Sequence, residues 1–450
     1  MKKIITAWDI ELCKEAGKTV MEYGENDIVT AIAEENARRL GISLVRAAVS
    51  PQDRTPAATQ QSSPANTGAD VLSEDFARRW QGEFPLLAHT IHVANCSQAP
   101  QAKRVRRAIE DYLDSWLTAG MDWEYWIEET IKAKHEFARL INASPDEIAL
   151  STSVSEATAS IASALDPLGA RRRILTTEAE FPTVGHVWLA SQKYGYKVDY
   201  VPVRNGEILL EDYRRLLDEE TVLTSVTHVY YQNGFKQDLG AIARIIHEKG
   251  SLFYVDAYQS LGTVDLDVKQ MDIDILSSGN LKYLLGIPGI AFIYVKKDLI
   301  SCLKPAVTGW FGQENPFSFQ VRYLDYASDS RRFDTGTPPV LTAFAARAGM
   351  EIINEVGPKN IEKRINMLSE YTIGLAQERG LELLSPLDVK KKGSTTAIRV
   401  DDSHQVEIDL KKHNIIASAR GNAIRIAPHF YTTKENLKHV MDCLAGLLRK

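Results

Sequence analysis

Short apolar runs alternate with longer amphipathic stretches through the middle of this chain. The apolar runs predict strands at Glu147–Leu150, Arg173–Thr177, Lys197–Val201, Val222–Tyr230, Leu252–Asp256, Ile273–Leu276 and Ile290–Val295. Apolar positions at helical spacing predict helices over Glu156–Leu165, Thr183–Lys193, Leu210–Leu217 and Ala241–Lys249. Strands alternating with helices imply an α/β body with a mostly parallel sheet covered on both faces. From about Thr342 the pattern changes. Ala343–Val356 and Ile361–Glu378 read as long helices, Thr396–Val400 and Ala423–Ile426 as strands, and Glu435–Leu448 as a closing helix. We therefore expect a large domain over residues 72–335, with the start of the small domain at its N-terminus. A smaller α+β C-terminal domain is expected over 336–450.

The first 46 residues read as a separate unit. Ile10, Cys13, Ala16 and Val20, then Ile28, Ala31, Ile32, Ala37 and Leu40, have roughly helical spacing and predict a small helical body. Residues 47–71 carry Pro51, Pro56, Pro64 and Gly68 and almost no large apolar side chain. Such a segment buries too little to offset its chain entropy, so a flexible linker is expected there.

Composition narrows the function classes. The chain has 450 residues, 44% of them hydrophobic, which is ample for a buried core. A net charge of -6 with no long basic run argues against a nucleic-acid partner. Asp9, Glu11 and Lys14 interrupt any apolar leader, and no stretch is long and apolar enough to cross a bilayer. Four scattered cysteines without a CxxC fit a reduced cytoplasm. His89 and His92 flank a predicted strand and read as surface imidazoles, so no metal site is expected.

The chemistry concentrates at two strand ends. Leu252-Phe253-Tyr254-Val255 ends on Asp256, with Gln259 close behind, and Ile273-Asp274-Ile275-Leu276 opens into Ser277-Ser278-Gly279-Asn280-Leu281-Lys282. In an open parallel sheet, ligands sit beyond the carboxyl ends of the strands. A carboxylate and an amine placed there suit pyridoxal 5'-phosphate (PLP). The amine condenses with the cofactor aldehyde, and the carboxylate keeps the pyridine nitrogen protonated so that the ring accepts electrons. Ser151-Thr152-Ser153-Val154-Ser155-Glu156 lies between a strand and a helix, where free N–H groups and the helix dipole favour an anion.

On these residues, about 72–450 resembles the class V aminotransferase family of fold-type I PLP enzymes, which includes cysteine desulfurases, selenocysteine lyases and kynureninases. The resemblance implies that Lys282 is the Schiff-base lysine, that Asp256 pairs with the pyridinium nitrogen and that Gln259 contacts the ring hydroxyl region. It also implies that Val154, Ser155 and Ser278 hold the phosphate. Phe181, in Phe181-Pro182-Thr183, is similar to the kynureninase residue stacked on the ring. Trp310 is similar to a loop residue near the cofactor, and Tyr231 falls where a ring-hydroxyl ligand is expected. Arg425, in Arg425-Ile426-Ala427-Pro428, looks like the arginine that forks onto the substrate carboxylate, and Asn95 and Cys96 look like the segment lining the substrate side. Asp334-Thr335-Gly336-Thr337-Pro338 resembles a turn whose threonine, here Thr337, reaches the phosphate of the neighbouring subunit. A homodimer with shared active sites follows from that likeness.

Three departures shape the expected reaction. No cysteine lies between Gln405 and Arg425, where desulfurases carry their nucleophile. Phe181 stands where they carry a histidine. Leu281 and Gly279 replace the usual histidine and serine before the lysine. The patterns lean toward a lyase acting at Cβ of an amino acid, a C–S or kynureninase-like lyase without a persulfide cysteine. A class V transaminase is the alternative, and a non-catalytic scaffold of the same fold the second. The segment with Trp8-Asp9-Ile10 and Asp27-Ile28-Val29-Thr30 resembles the start of some ethanolamine-utilisation microcompartment proteins, which suggests docking to a protein partner.

Overall fold

The computed structural model describes residues 4–5, 10, 13–14, 17–24, 28–29, 31–46, 70–165 and 170–449. The chain divides into two compact units, Met1–Ala65 and Asn66–Lys450. The linker expected over 47–71 falls outside the described residues except at its end, where Asp70–Leu72 forms a 3-10 turn.

The N-terminal unit is mixed rather than helical. A helix over Ala31–Leu40 accompanies two parallel strand pairs, Ile4–Ile5 with Ile28–Val29 and Val20–Tyr23 with Ser43–Arg46. Ile10, Cys13, Ala33, Ala37 and Ile42 form its core. Val20 and Ile28, which fit a helical spacing, lie in strands. Runs of two to four residues are too short for their period to be read.

In the larger unit seven strands form one sheet: β1 (Ile148–Ser151), β2 (Arg173–Thr177), β3 (Lys197–Val201), β4 (Thr221–Thr227), β5 (Leu252–Asp256), β6 (Ile275–Gly279) and β7 (Ala291–Val295). Their spatial order is β1-β7-β6-β5-β4-β2-β3, and only β7 runs against its neighbours. Side chains alternate between two cores. Phe253 and Val255 of β5 pack into one, and Leu252 and Tyr254 into the other. Phe137 stacks on Phe292 at 4.5 Å and anchors helix Trp123–Ile141 to β7 on one face. Trp188 of helix Pro182–Ala190 meets Tyr254 edge-on at 5.7 Å on the other.

The parallel arrangement puts the ends of β1, β2, β4, β5 and β6 on one edge. Each leads into a segment of the candidate site. β6 starts two residues later than the apolar pattern suggests and runs through Ser277-Ser278-Gly279, and the two serine hydroxyls are buried in the sheet rather than placed in a loop.

The C-terminal part carries a three-stranded antiparallel sheet in which Ala423–Ile426 lies between Thr396–Arg399 and Ser418–Arg420. Helices Pro358–Glu378, Ser403–Lys412 and Lys434–Leu448 pack against it. The start of the same unit joins this part. Ile91–His92 pairs in parallel with Ile415–Ile416, and Ala94 bridges Ala427. His92, read from sequence as a surface imidazole, is buried there, and burial pulls its pKa down to about 4. Among the described residues no helix is long and apolar enough to cross a membrane, and no group of three or more His, Cys, Asp or Glu is placed to hold a metal.

Candidate active site

A cavity of about 340 Å³ opens at the common strand edge. It lies toward the lower end of the usual range for a small-molecule site, roughly 300–1,000 Å³. Asp256 and Lys282 both line it. Asp256 is buried, and its Oδ1 accepts a 2.9 Å bond from the Tyr258 N–H. Burial raises its pKa, while that hydrogen bond and the Lys282 charge oppose the rise. The Lys282 amine lies 4.2 Å from the centre of the Tyr258 ring and 5.4 Å from that of Phe181. Burial among these rings pulls its pKa down to about 8, against the pull of Asp256. An amine so placed is available as a nucleophile and as a proton carrier near neutral pH.

Phe181 caps helix Pro182–Ala190 without a side-chain bond and is 38% exposed, its ring lining the cavity beside Tyr231, which it meets edge-on at 5.2 Å. Gln259 also lines the cavity, and its Nε2 donates to the Cys96 carbonyl at 3.0 Å. Cys96 itself is buried at the wall.

At another wall, helix Val154–Ser163 begins. The Ser153 hydroxyl accepts from the Glu156 N–H, and Glu156 in turn accepts from Thr152 N and, through its other oxygen, from Thr335. Val154 and Ser155 line the cavity with the first two amides of the helix, which have no intrahelical acceptor. Thr158, one turn on, is tied through its hydroxyl to Tyr254 at 2.7 Å, and Tyr254 to Ser277 at 2.5 Å. The helix start is thereby fixed to β5 and β6.

Arg425 projects into the cavity from the small sheet and is fully buried. Its guanidinium donates to the Tyr231 carbonyl at 2.8 Å, to the Ser97 hydroxyl at 3.0 Å and to the Ser418 hydroxyl at 2.6 Å, and its Nε has no partner. Among the described residues no carboxylate pairs with it. A buried guanidinium held only by neutral acceptors is set up for an incoming anion.

Four expected residues lie elsewhere. Asn95 does not line the cavity: its amide clamps the backbone, with Nδ2 donating to Ala427 O at 2.8 Å and Oδ1 accepting from the Tyr431 hydroxyl at 2.6 Å. The Ser278 hydroxyl donates to the neighbouring Gly279 carbonyl inside β6. Trp310 lines a separate groove and stacks on Phe319 at 6.0 Å. Thr337 is exposed on the loop after Asp334. Sequence reasoning missed Ser97, Thr183, Thr227, Tyr258 and Arg420, all of which line the cavity. Tyr258 was the most legible of these, two residues beyond Asp256.

The group set fits PLP in kind. One space holds a buried carboxylate for a pyridinium, an amine for an aldehyde, a flat ring and a pair of free amides for a phosphate.

Comparisons with known proteins agree. The family described as Aminotransferase class-V matches residues 94–440. An uncharacterized aminotransferase, YcbU, of Bacillus subtilis is 42% identical over 373 residues, covering 83% of this chain and 98% of that protein. A kynureninase of Geobacillus thermodenitrificans is 25% identical over 84% of this chain and 92% of its own. Among solved structures, the apo cysteine desulfurase from Thermococcus onnurineus superposes with a TM-score of 0.75 at 21% identity, over 83% of this chain and 98% of its own. The cystine C–S lyase C-DES, in complex with its product cysteine persulfide, superposes with 0.73 at 19% identity, over 80% and 99%. Another C-DES structure holds glycine covalently linked to its PLP cofactor.

Proposed function

This chain belongs to the class V aminotransferase family of PLP enzymes, and on that premise we propose that it is a lyase acting at Cβ of an amino acid. PLP, when bound, supplies a sink for the electrons released at the substrate Cα. Asp256 holds the ring nitrogen, Lys282 holds the aldehyde carbon, Phe181 covers the ring, and the Val154 and Ser155 amides bind the phosphate. Arg425 grips the substrate carboxylate, and Tyr231 and Gln259 border the ring.

The observation that carries this reading is the isolation of Lys282 as a base. Among the described residues no histidine lines the cavity, so the Lys282 amine, once the substrate amine has displaced it from the aldehyde carbon, takes the Cα proton, and its pKa of about 8 suits the transfer. Phe181 adds stacking, about 0.5–1.5 kcal/mol beyond area burial, but carries no proton. A proton parked on Lys282 is then available to a departing Cβ group.

The aminotransferase name of the 42% identical relative favours a second reading, transamination. The two separate in a panel of cysteine, cysteine sulfinate, kynurenine, alanine and aspartate. A lyase releases its Cβ fragment without a 2-oxo acid acceptor. A product that appears only when such an acceptor is added contradicts the lyase reading.

We further propose that two copies share their sites. The loop beside Trp310 exposes Phe319, Val321 and Tyr323 at 71%, 96% and 69%, and Thr337 is free to reach across. A monomer in sedimentation at micromolar concentration contradicts this.

A further inference from the structure

The cavity holds more positive charge than the reaction just proposed uses. Its lining side chains include three cations, Lys282, Arg420 and Arg425, against one carboxylate, Asp256. Lys282 is assigned to the cofactor and Arg425 to the substrate α-carboxylate. Arg420 has neither task, and among the described residues no carboxylate or carbonyl holds its side chain.

Its position is fixed by strand register. Ser418 pairs with Arg425 across the antiparallel strands, and Arg420 pairs with Ala423. Residues two apart on a strand share a face, so Ser418, Arg420 and Arg425 all lie on the face turned to the cavity. Arg420 and Arg425 are diagonal neighbours, which places their Cβ atoms roughly 7–8 Å apart or less. The strand then turns sharply at Gly421, whose φ of +57° suits glycine, and this turn ends the strand just beyond Arg420. The two guanidinium groups differ in freedom. Arg425 is buried and held by three neutral acceptors, whereas Arg420 is exposed and keeps its five donors open.

We infer that Arg420 reads the side chain of the substrate, and that the substrate is an amino acid bearing a second anionic group there, a carboxylate or a sulfinate. This rests on the PLP reading above. Two arginines placed diagonally across adjacent strands on one sheet face match the two acid groups of a short dicarboxylic amino acid. The fixed one orients the α-carboxylate at Cα, and the open one adapts to the distal acid. Guanidinium geometry suits bidentate contact with either distal group.

The test uses the PLP-loaded protein and two unreactive probes, succinate and butyrate, with binding measured by calorimetry. Succinate is expected to bind at least about tenfold more tightly than butyrate, as a charge-assisted pair contributes. Arg420→Gln should bring that ratio near one and leave butyrate affinity and PLP affinity in place, and Arg420→Lys should retain part of the preference. Equal binding of the two probes by the parent protein overturns the inference. So does a ratio that survives Arg420→Gln, or a variant that loses PLP affinity instead, which would assign Arg420 to the cofactor. If the protein takes up no PLP and shows no visible absorbance, the reading beneath fails and carries this inference with it. Turnover of aspartate against cysteine sulfinate then separates the carboxylate from the sulfinate.

Discussion

The Lys282 amine rests 4.2 Å above the Tyr258 ring, and that ring occupies space that only a glycine at 279 leaves open. A Cβ at Gly279 would run into the Tyr258 ring. The lysine, the tyrosine and the glycine thus form one packed unit at the end of β5 and β6. Asp256 is joined to it through the Tyr258 amide.

Gly279→Ala should therefore push Tyr258 out of place. Overpacking of this kind costs typically about 1–3 kcal/mol. The expected result is a lower Tm and weaker PLP retention. Tyr258→Ala in the same chain should relieve most of the added cost, and a double-variant cycle measures the coupling. Independent, additive losses would contradict the contact.

Lys282→Ala should abolish both turnover and the visible absorbance of the lysine-linked cofactor. An unchanged visible spectrum in this variant would contradict the assignment of Lys282.

The pH dependence of cofactor uptake has a definite sign. Only the neutral amine attacks an aldehyde, and burial lowers the Lys282 pKa from 10.5 to about 8. At pH 7 about a tenth of the amines are neutral, against on the order of one in three thousand for an ordinary lysine. The rate of PLP uptake by the apoprotein should rise with pH and level off above about pH 8. Because a lowered lysine pKa means the unfolded chain binds more protons between about pH 8 and 10.5, this group makes the apoprotein more stable as pH rises through that window. A rate still climbing steeply beyond pH 10 would contradict the shift.

Arg425→Gln should cut kcat/KM about 10- to 100-fold, since hydrogen bonds to charged groups contribute about 1.5–3 kcal/mol. The loss should be large for amino acids and small for the matching amines that lack the carboxylate. Equal losses for both would reassign Arg425 to a structural role.

Much of this site could be read from the chain, for physical reasons. Buried parallel strands are written as Val- and Ile-rich runs, so Asp256 and Lys282 stood out as polar residues at strand ends. Ser277, Ser278 and Gly279 did not read as strand, because the two serine hydroxyls find partners inside the sheet that sequence cannot show. Asn95 was expected at the substrate side from its likeness to the family's early segment, and nothing near it in the chain shows what its amide holds instead. Its partners, Ala427 and Tyr431, lie more than three hundred residues away. Arg420 was hidden by a three-residue strand too short to show its period.

Removal of residues 1–69 should leave turnover intact. The cut falls before Val71, whose carbonyl accepts from buried Arg364 at 3.0 Å. If the N-terminal unit docks the enzyme to a protein partner, as its likeness to microcompartment proteins suggests, that association should be lost while catalysis persists. A dead enzyme after this cut would give the unit a role in the catalytic body.

Val93 makes two backbone bonds that flank the strands carrying Ser418 and Arg425, its N–H donating to Ile416 O and its carbonyl accepting from Ala427 N. The cavity wall is thus built from segments, at Ser97 and at Arg425, that lie more than three hundred residues apart in sequence and meet through a 3.0 Å bond. A ribosome must deliver both segments before the pocket can close, so vitamin B6 capture waits for the synthesis of Arg425. Prematurely terminated products would be unable to sequester the coenzyme.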